Sequence, residues 1–176
     1  MPGVIHATAT GAQSPGGRQV ASPPMHRLVA SLFGTGLILR SIRGSDAGSG
    51  TVAGLVALPF ALLLGETWGW PGQLGAAVVL TGLAFWSSIA LADSTGDAGW
   101  IVIDEAAGTF VATIGLLGWP AVIAFLVFRV ADISKRPFPG VQQADSMPGP
   151  MGIVLDDLVA GAWALGIGHL LNATVF

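Results

Sequence analysis

The residues that could do chemistry fall in three charged clusters separated by apolar sequence. Asp104 and Glu105 stand side by side, Arg129, Asp132, Lys135 and Arg136 follow one apolar interval later, and Asp156 and Asp157 are adjacent again near the C-terminus. Paired carboxylates are hard oxygen donors, and with no cysteine and no suitably spaced histidine they fit Mg²⁺, which takes a few carboxylates and leaves room for waters and phosphate. Arg129, Asp132 and Lys135 or Arg136 recur at spacings of three and four, so on a helix they share one face. Arginine holds phosphate oxygens bidentately and lysine acts as a point charge, so this cluster complements the acidic ones. Simpler explanations exist for both. Acids at helix N-termini cap free N–H groups and oppose the helix dipole, which explains Asp93 and Asp97 as well as chemistry does. The cationic face could equally be an ion-pair ladder whose basic residues snorkel to a membrane interface.

The elements that must position these residues are legible from composition. The 176 residues are 52% hydrophobic and 10% charged, with a mean hydropathy of +0.72, the profile of one integral-membrane domain. The absence of cysteine excludes disulfides, thiolate nucleophiles and Cys-ligated metals. A net charge of −3 without any basic run argues against a nucleic-acid partner, and no protein partner can be inferred.

Residues 1–25 are small, polar and rich in Pro and Gly, which predicts a disordered tail ahead of a membrane domain over 26–176. They contain no apolar stretch with a small-residue cleavage site, so a cleaved signal peptide is not expected. Residues 28–39 are apolar but fall short of the ~20 residues that a spanning helix needs, which predicts a re-entrant or interfacial helix. Residues 40–51 read as a flexible loop whose glycines permit close backbone approach to an anion.

Two apolar runs, 52–68 and 73–92, flank Gly69-Trp70-Pro71-Gly72, and two more, 105–117 and 121–131, flank Gly118-Trp119-Pro120. Proline and glycine end helices and tryptophan prefers the membrane interface, so each pair is predicted to be a helical hairpin. Residues 153–176 form a last span that opens with Asp156-Asp157. The predicted fold is an all-α membrane bundle of about five to six helices: two hairpins, a C-terminal span and a short N-terminal helix.

The clusters form three ordered motifs. Ile101-Val102-Ile103-Asp104-Glu105-Ala106-Ala107-Gly108 comes first. Phe128-Arg129-x-x-Asp132-Ile133-x-Lys135 follows with Pro137 and Pro139, then Gly152-Ile153-x-x-Asp156-Asp157-Leu158-x-Ala160-Gly161. In order and separation they resemble the signatures of phosphatidylglycerophosphatase A, over roughly residues 27–170. Gly50-Thr51 and the apolar run to Pro59 resemble that family's Gly-Thr segment. Ser49, Ala98, Arg136 and Pro150 stand where the family has Pro, Pro, Pro and Gly, and none of these departures removes a charged group.

The resemblance implies a magnesium-dependent, multi-pass phosphatase of the bacterial inner membrane that converts phosphatidylglycerol phosphate to phosphatidylglycerol at its cytoplasmic face. Asp104, Glu105, Asp132, Asp156 and Asp157 would supply Mg²⁺ ligands and activate water. Arg129 and Lys135 would hold phosphate oxygens, with contacts from Gly50 and Thr51. Two alternatives stay open: a phosphatase for another lipid phosphate such as phosphatidic acid, and a transporter that uses intramembrane carboxylates as a relay. His26 and His169 have no partner motif and no assigned role.

Basic residues favour the cytoplasmic side of short loops. If residues 28–39 do not span, all seven Arg and Lys residues fall on one face, together with every acid except Glu66. Trp70 and Trp119 are therefore expected to face the periplasm while Asp104 and Lys135 face the cytoplasm. Single-cysteine variants of this cysteine-free chain test the expectation with a membrane-impermeant thiol reagent, and labelling of positions 70 and 119 from opposite faces would eliminate the second hairpin.

Overall fold

Where no water reaches, backbone N–H and C=O groups must pair within the chain, and among the described residues every regular element that does so is a helix. The structure is a computed structural model that describes residues 24–95 and 98–175. It contains α1 Pro24–Ala30, α2 Thr35–Arg43, α3 Ser49–Thr95, α4 Ile103–Ala112, α5 Gly118–Ser134, α6 Val141–Asp145 and α7 Pro150–Thr174. The tail expected over residues 1–25 lies outside the described residues, except for Pro24 and Met25, which open α1. Asp97 and the side chain of Asp93 lie outside them as well.

The longest element, α3, is two limbs that meet at Gly69, whose φ of 67° and ψ of −165° suit glycine and little else. Pro71 sits in the first turn of the second limb, where its missing N–H leaves no bond unmade. Gln73 Nε2 donates to the carbonyl of Ala61 at 3.1 Å, twelve residues back, which along an unbroken helix would be ~18 Å away. The chain therefore reverses at Gly69.

A second reversal joins α4 to α5 through residues 113–117, with Gly115 at φ 73° and Gly118 at φ 55°. Gly118-Trp119-Pro120 opens α5 rather than forming the centre of the turn as the sequence suggests, because the N-terminal turn of a helix is where proline costs least. The fully buried Gln73 ties both reversals together. Its Oε1 accepts from Gly115 N at 2.7 Å, and its Nε2 also lies 3.4 Å from the Leu116 carbonyl. Both Gly-Trp-Pro segments thus lie at one end of the bundle, where His169 Nε2 of α7 meets the Ile114 carbonyl at 2.9 Å.

Two elements of sufficient length and apolarity to cross a membrane are Ser49–Leu91, which includes both limbs of α3, and Pro150–Thr174. Large apolar side chains lie both inside the bundle, as at Phe128, Leu91 and Ile103, and over its outer surface. Small residues such as Ala53, Ala61, Ala84 and Ala160 are wholly buried, while Phe60, Trp68, Val78, Ile89 and Ile133 point outward. Close contact between small residues with large apolar groups facing out is the pattern of helices packed in lipid.

Several boundaries differ from the sequence expectation. The stretch 28–39 is not one helix. It breaks at Leu32, Phe33 and Gly34, all with positive φ, where Ser31 Oγ accepts from Gly34 N at 3.0 Å and donates to the Leu28 carbonyl at 3.2 Å. The glycine-rich loop is shorter than 40–51, because α2 continues through Arg43 and α3 begins at Ser49. Gly50 and Thr51 are therefore helical. The short helix α6 has no hydrophobic periodicity that could announce it, and α7 begins at Pro150, a full turn before Asp156.

The buried amide of Gln73 makes the clearest stability prediction. Gln73→Leu keeps the volume but leaves the Gly115 N–H and the Leu116 carbonyl without partners, which costs roughly 1–3 kcal/mol. Thermal unfolding in detergent should shift down accordingly, with phosphate release at low temperature preserved. An unchanged melting temperature would mean that the two reversals hold together without this side chain.

Candidate active site

Four backbone segments converge at the end of the bundle opposite the Gly-Trp-Pro turns. The first is the start of α4. Its N-cap, Val102, offers no side-chain bond, and the first turn carries Asp104 and Glu105. Asp104 Oδ1 accepts from Glu105 N at 3.1 Å, so part of the capping explanation holds for this residue. It fails for the pair on α7. With the helix starting at Pro150, Asp156 and Asp157 lie beyond its first turn and are buried, where dipole stabilisation has faded. Asp132 likewise sits in the last turn of α5, the unfavourable end for an acid.

Glycines bring these segments close enough to form a site. A Cβ built on Gly108 of α4 would lie 2.6 Å from the Phe128 ring and 3.0 Å from the Asp157 carbonyl. One built on Gly161 of α7 would lie 2.8 Å from the Gly108 carbonyl. The two motif glycines therefore mark the crossing of α4 and α7, which sets Asp104 and Glu105 against Asp157. At the start of α3 a Cβ on Gly50 would overlap Glu105 Oε1 and come within 3.0 Å of Arg129 Nη2. Ser49 Oγ anchors this end by donating to the Gly99 carbonyl, in the segment that leads into α4.

Within this frame, one carboxylate oxygen each from Asp104, Glu105 and Asp157 lies within 4.8 Å of the others. Glu105 Oε2, Asp157 Oδ1 and Asp156 Oδ1 are buried without a hydrogen-bond partner. Hard, partly unsatisfied oxygens gathered at that spacing fit a divalent cation such as Mg²⁺. Asp132 and Asp156 are not in this triplet but at its border, each paired with a cation. Arg129 Nη1 lies 3.0 Å from Asp132 Oδ2, in ion-pair range though out of hydrogen-bond alignment. Lys135 Nζ lies 2.8 Å from Asp156 Oδ2 and 2.5 Å from Asp145 Oδ1. Burial alone would make the Lys135 ammonium easier to deprotonate, but hydrogen bonds and charge from Asp145 and Asp156 outweigh it and raise its pKa above that of an ordinary lysine. It stays charged at any physiological pH.

The site thus contains Asp104, Glu105, Arg129, Asp132, Lys135, Asp156 and Asp157, in two groups, a carboxylate triplet and two flanking ion pairs, while Arg136 is exposed and joins neither. Gly50 adjoins both groups, whereas Thr51 stands beside it, half-buried, without a hydrogen bond to the site. Asp145 and Ser49 are not announced by the sequence. An acid on a five-residue helix between prolines carries no spacing signal, and Ser49 occupies a position where the family pattern has proline.

The profile of the family described as phosphatidylglycerophosphatase A matches residues 28–172. The phosphatidylglycerophosphatase A of Escherichia coli K12 is 35% identical over 160 residues, 86% of this chain and 85% of that protein. That of Haemophilus influenzae Rd is 32% identical over 151 residues, 81% of this chain and 85% of its own. The chain belongs to the phosphatidylglycerophosphatase A family. It is by that membership a phosphoric monoester hydrolase, and the resemblance carried by the three motifs holds. A Bacteroides thetaiotaomicron chain named as a candidate phosphatidylinositol-3-phosphatase is 28% identical over 153 residues, 78% of this chain and 87% of its own. No solved structure matches significantly.

Gly50 separates a site requirement from a folding one. It has helical backbone geometry, so alanine should stabilise α3 by roughly 0.5–1 kcal/mol if nothing opposed it. The new methyl group must instead displace the Glu105 carboxylate. Gly50→Ala is expected to lower phosphate release at least tenfold without lowering the melting temperature, and wild-type turnover would show that Glu105 has no need of its observed position.

Proposed function

We propose that this protein is a Mg²⁺-dependent lipid phosphatase that removes the terminal phosphate of phosphatidylglycerol phosphate to leave phosphatidylglycerol. One observation carries the metal part: the buried Asp104, Glu105 and Asp157 oxygens within 4.8 Å of one another, beside the ion-paired Arg129. Family membership supports the substrate. Asp104, Glu105 and Asp157 would hold the ion, with Asp132 and Asp156 at its border. Bound there, Mg²⁺ supplies Lewis-acid polarisation of phosphoryl oxygens and lowers the pKa of water.

The chain's own residues do the rest. The guanidinium of Arg129 and the ammonium of Lys135 hold the phosphate oxygens and offset the charge that develops on them as the P–O bond breaks. Asp132 or Asp156 takes the proton of the water as its oxygen bonds to phosphorus, and that proton returns to the leaving phosphatidylglycerol oxygen. Gly50, having no side chain, lets the Glu105 carboxylate sit against the start of α3 beside Arg129.

An apolar cavity of about 470 Å³ begins one residue along α4, at Ala106, and is lined by Phe33, Val56, Phe60, Leu80 and Phe110. It suits an acyl chain whose head group lies at the acids. The one-sided distribution of Arg and Lys supports a multi-pass arrangement in the bacterial cell membrane with the site at the cytoplasmic face. Relay carboxylates of a transporter belong near the bilayer midplane. Those of this chain gather at the end of the bundle away from the Gly-Trp-Pro turns, which disfavours transport.

Phosphate release from purified protein tests the proposal, with a panel of phosphatidylglycerol phosphate, phosphatidic acid, phosphatidylinositol 3-phosphate and glycerol 3-phosphate. Mg²⁺ should support turnover, EDTA should abolish it, and Asp104→Asn should reduce it by about 10²–10³. Phosphatidylglycerol phosphate should be preferred, and glycerol 3-phosphate should trail the diacyl lipids widely in kcat/KM. Full turnover after exhaustive chelation would remove the metal, and parity between glycerol 3-phosphate and the lipids would point to a soluble substrate.

A further inference from the structure

Lys135 is the only lysine in the chain, and its ammonium has three N–H donors. Two of them are engaged inside the protein, by Asp156 Oδ2 at 2.8 Å and by Asp145 Oδ1 at 2.5 Å. The backbone of Lys135 is itself unusual. It ends α5 with φ 49° and ψ −53°, a positive φ in a residue with a side chain, and its N–H caps the Ala131 carbonyl. That turn aims a long, flexible side chain back toward α7.

Asp145 comes from outside the site's own helices. It is the last residue of α6, which is clamped against α7 at both ends. Val141 and Ala144 are buried, and Trp163 Nε1 donates to the Pro139 carbonyl at 2.9 Å. A Cβ on Gly152 would lie 3.1 Å from the Asp145 carbonyl and would overlap that of Met147, so α7 passes directly over the end of α6. The backbone of Asp145 is therefore held independently of its side chain, which is 42% exposed.

We propose that Asp145 is a positioning residue for the phosphatase reaction: with Asp156 it pins the Lys135 ammonium from two sides, so that its third N–H is presented to the substrate phosphate. This rests on the lipid phosphatase function proposed above. Asp156 alone would leave the ammonium free to swing about a single contact, because a lysine side chain has four rotatable bonds and loses much conformational freedom when fixed. A second carboxylate, outside the metal-ready triplet, fixes it without competing for the ion.

The test uses the full-length protein and two readouts. The first is kcat/KM on phosphatidylglycerol phosphate with Mg²⁺. Asp145→Ala should lower it about tenfold with little change in melting temperature, and Asp145→Glu should recover most of the loss. In a Lys135→Met background, Asp145→Ala should cost less than a further twofold, because the group it acts through is gone. The second readout needs no activity. An amine-acylating reagent, followed by mass spectrometry of the peptide that contains residue 135, reads this single lysine, and Asp145→Ala should raise its labelling rate several-fold. Unchanged labelling together with unchanged kcat/KM would overturn the proposal. So would a full tenfold loss in the Lys135→Met background, which would mean that Asp145 acts elsewhere, or a gain of activity in Asp145→Ala, which would make it a competitor of the phosphate. Faster labelling of the Asp145→Ala variant, combined with a wild-type protein that releases no phosphate from any lipid, would uphold the positioning of Lys135 and sink the phosphatase function instead.

Discussion

Like charges gathered at the end of an apolar bundle repel one another and resist leaving water, and most of this structure can be understood as the means of tolerating that arrangement. On insertion scales a carboxylate placed within hydrocarbon costs roughly 2.5–3.5 kcal/mol. Asp104, Asp156 and Asp157 are nonetheless buried, with Glu105 beside them. Arg129 and Lys135 offset part of this charge through Asp132, Asp145 and Asp156. The carboxylates still outnumber the cations, and some of their oxygens have no partner. A site left short of positive charge is suited to a divalent cation and to the phosphate that such a cation brings with it.

Holding the acids together requires backbones that approach more closely than side chains normally permit. Gly108 and Gly161 make the crossing of α4 and α7 possible, and Gly50 admits the Glu105 carboxylate to the start of α3. The alanine-rich interior serves the same end along the rest of the bundle, because small residues let helices pack closely while Phe60, Ile89 and Ile133 face outward. At the far end, Gln73 fastens the two reversals to each other. The charged end is thus the terminus of helices whose relative positions are set along their whole length.

Capping and chemistry compete as explanations for acids near helix ends, and the structure separates them by position. Asp104 does some of each, since one oxygen accepts a backbone N–H while the residue also belongs to the carboxylate triplet. Asp132, Asp156 and Asp157 stand where a cap would be useless or adverse, so the placing of all three, and the burial of Asp156 and Asp157, needs a different cause.

The sequence by itself determined the helical class, the two reversals and which charged residues are candidates for a site, Asp145 excepted. Hydropathy and helix-breaking residues are local, and a chain this poor in charge has few side chains to choose among. The ordered motifs around Asp104, Arg129 and Asp156 likewise carry the family without reference to any fold. Only the tertiary structure decided how the charges divide: Asp104, Glu105 and Asp157 as one group, Asp132 and Asp156 as partners of cations. It also moved Gly50 from a loop into a helix and added Asp145, ten residues beyond Lys135 on a helix that no periodicity announces. Spacing along a chain says which residues share a helix face. Which faces meet depends on where backbones can come close, and that is set by the glycine crossings between helices distant in sequence.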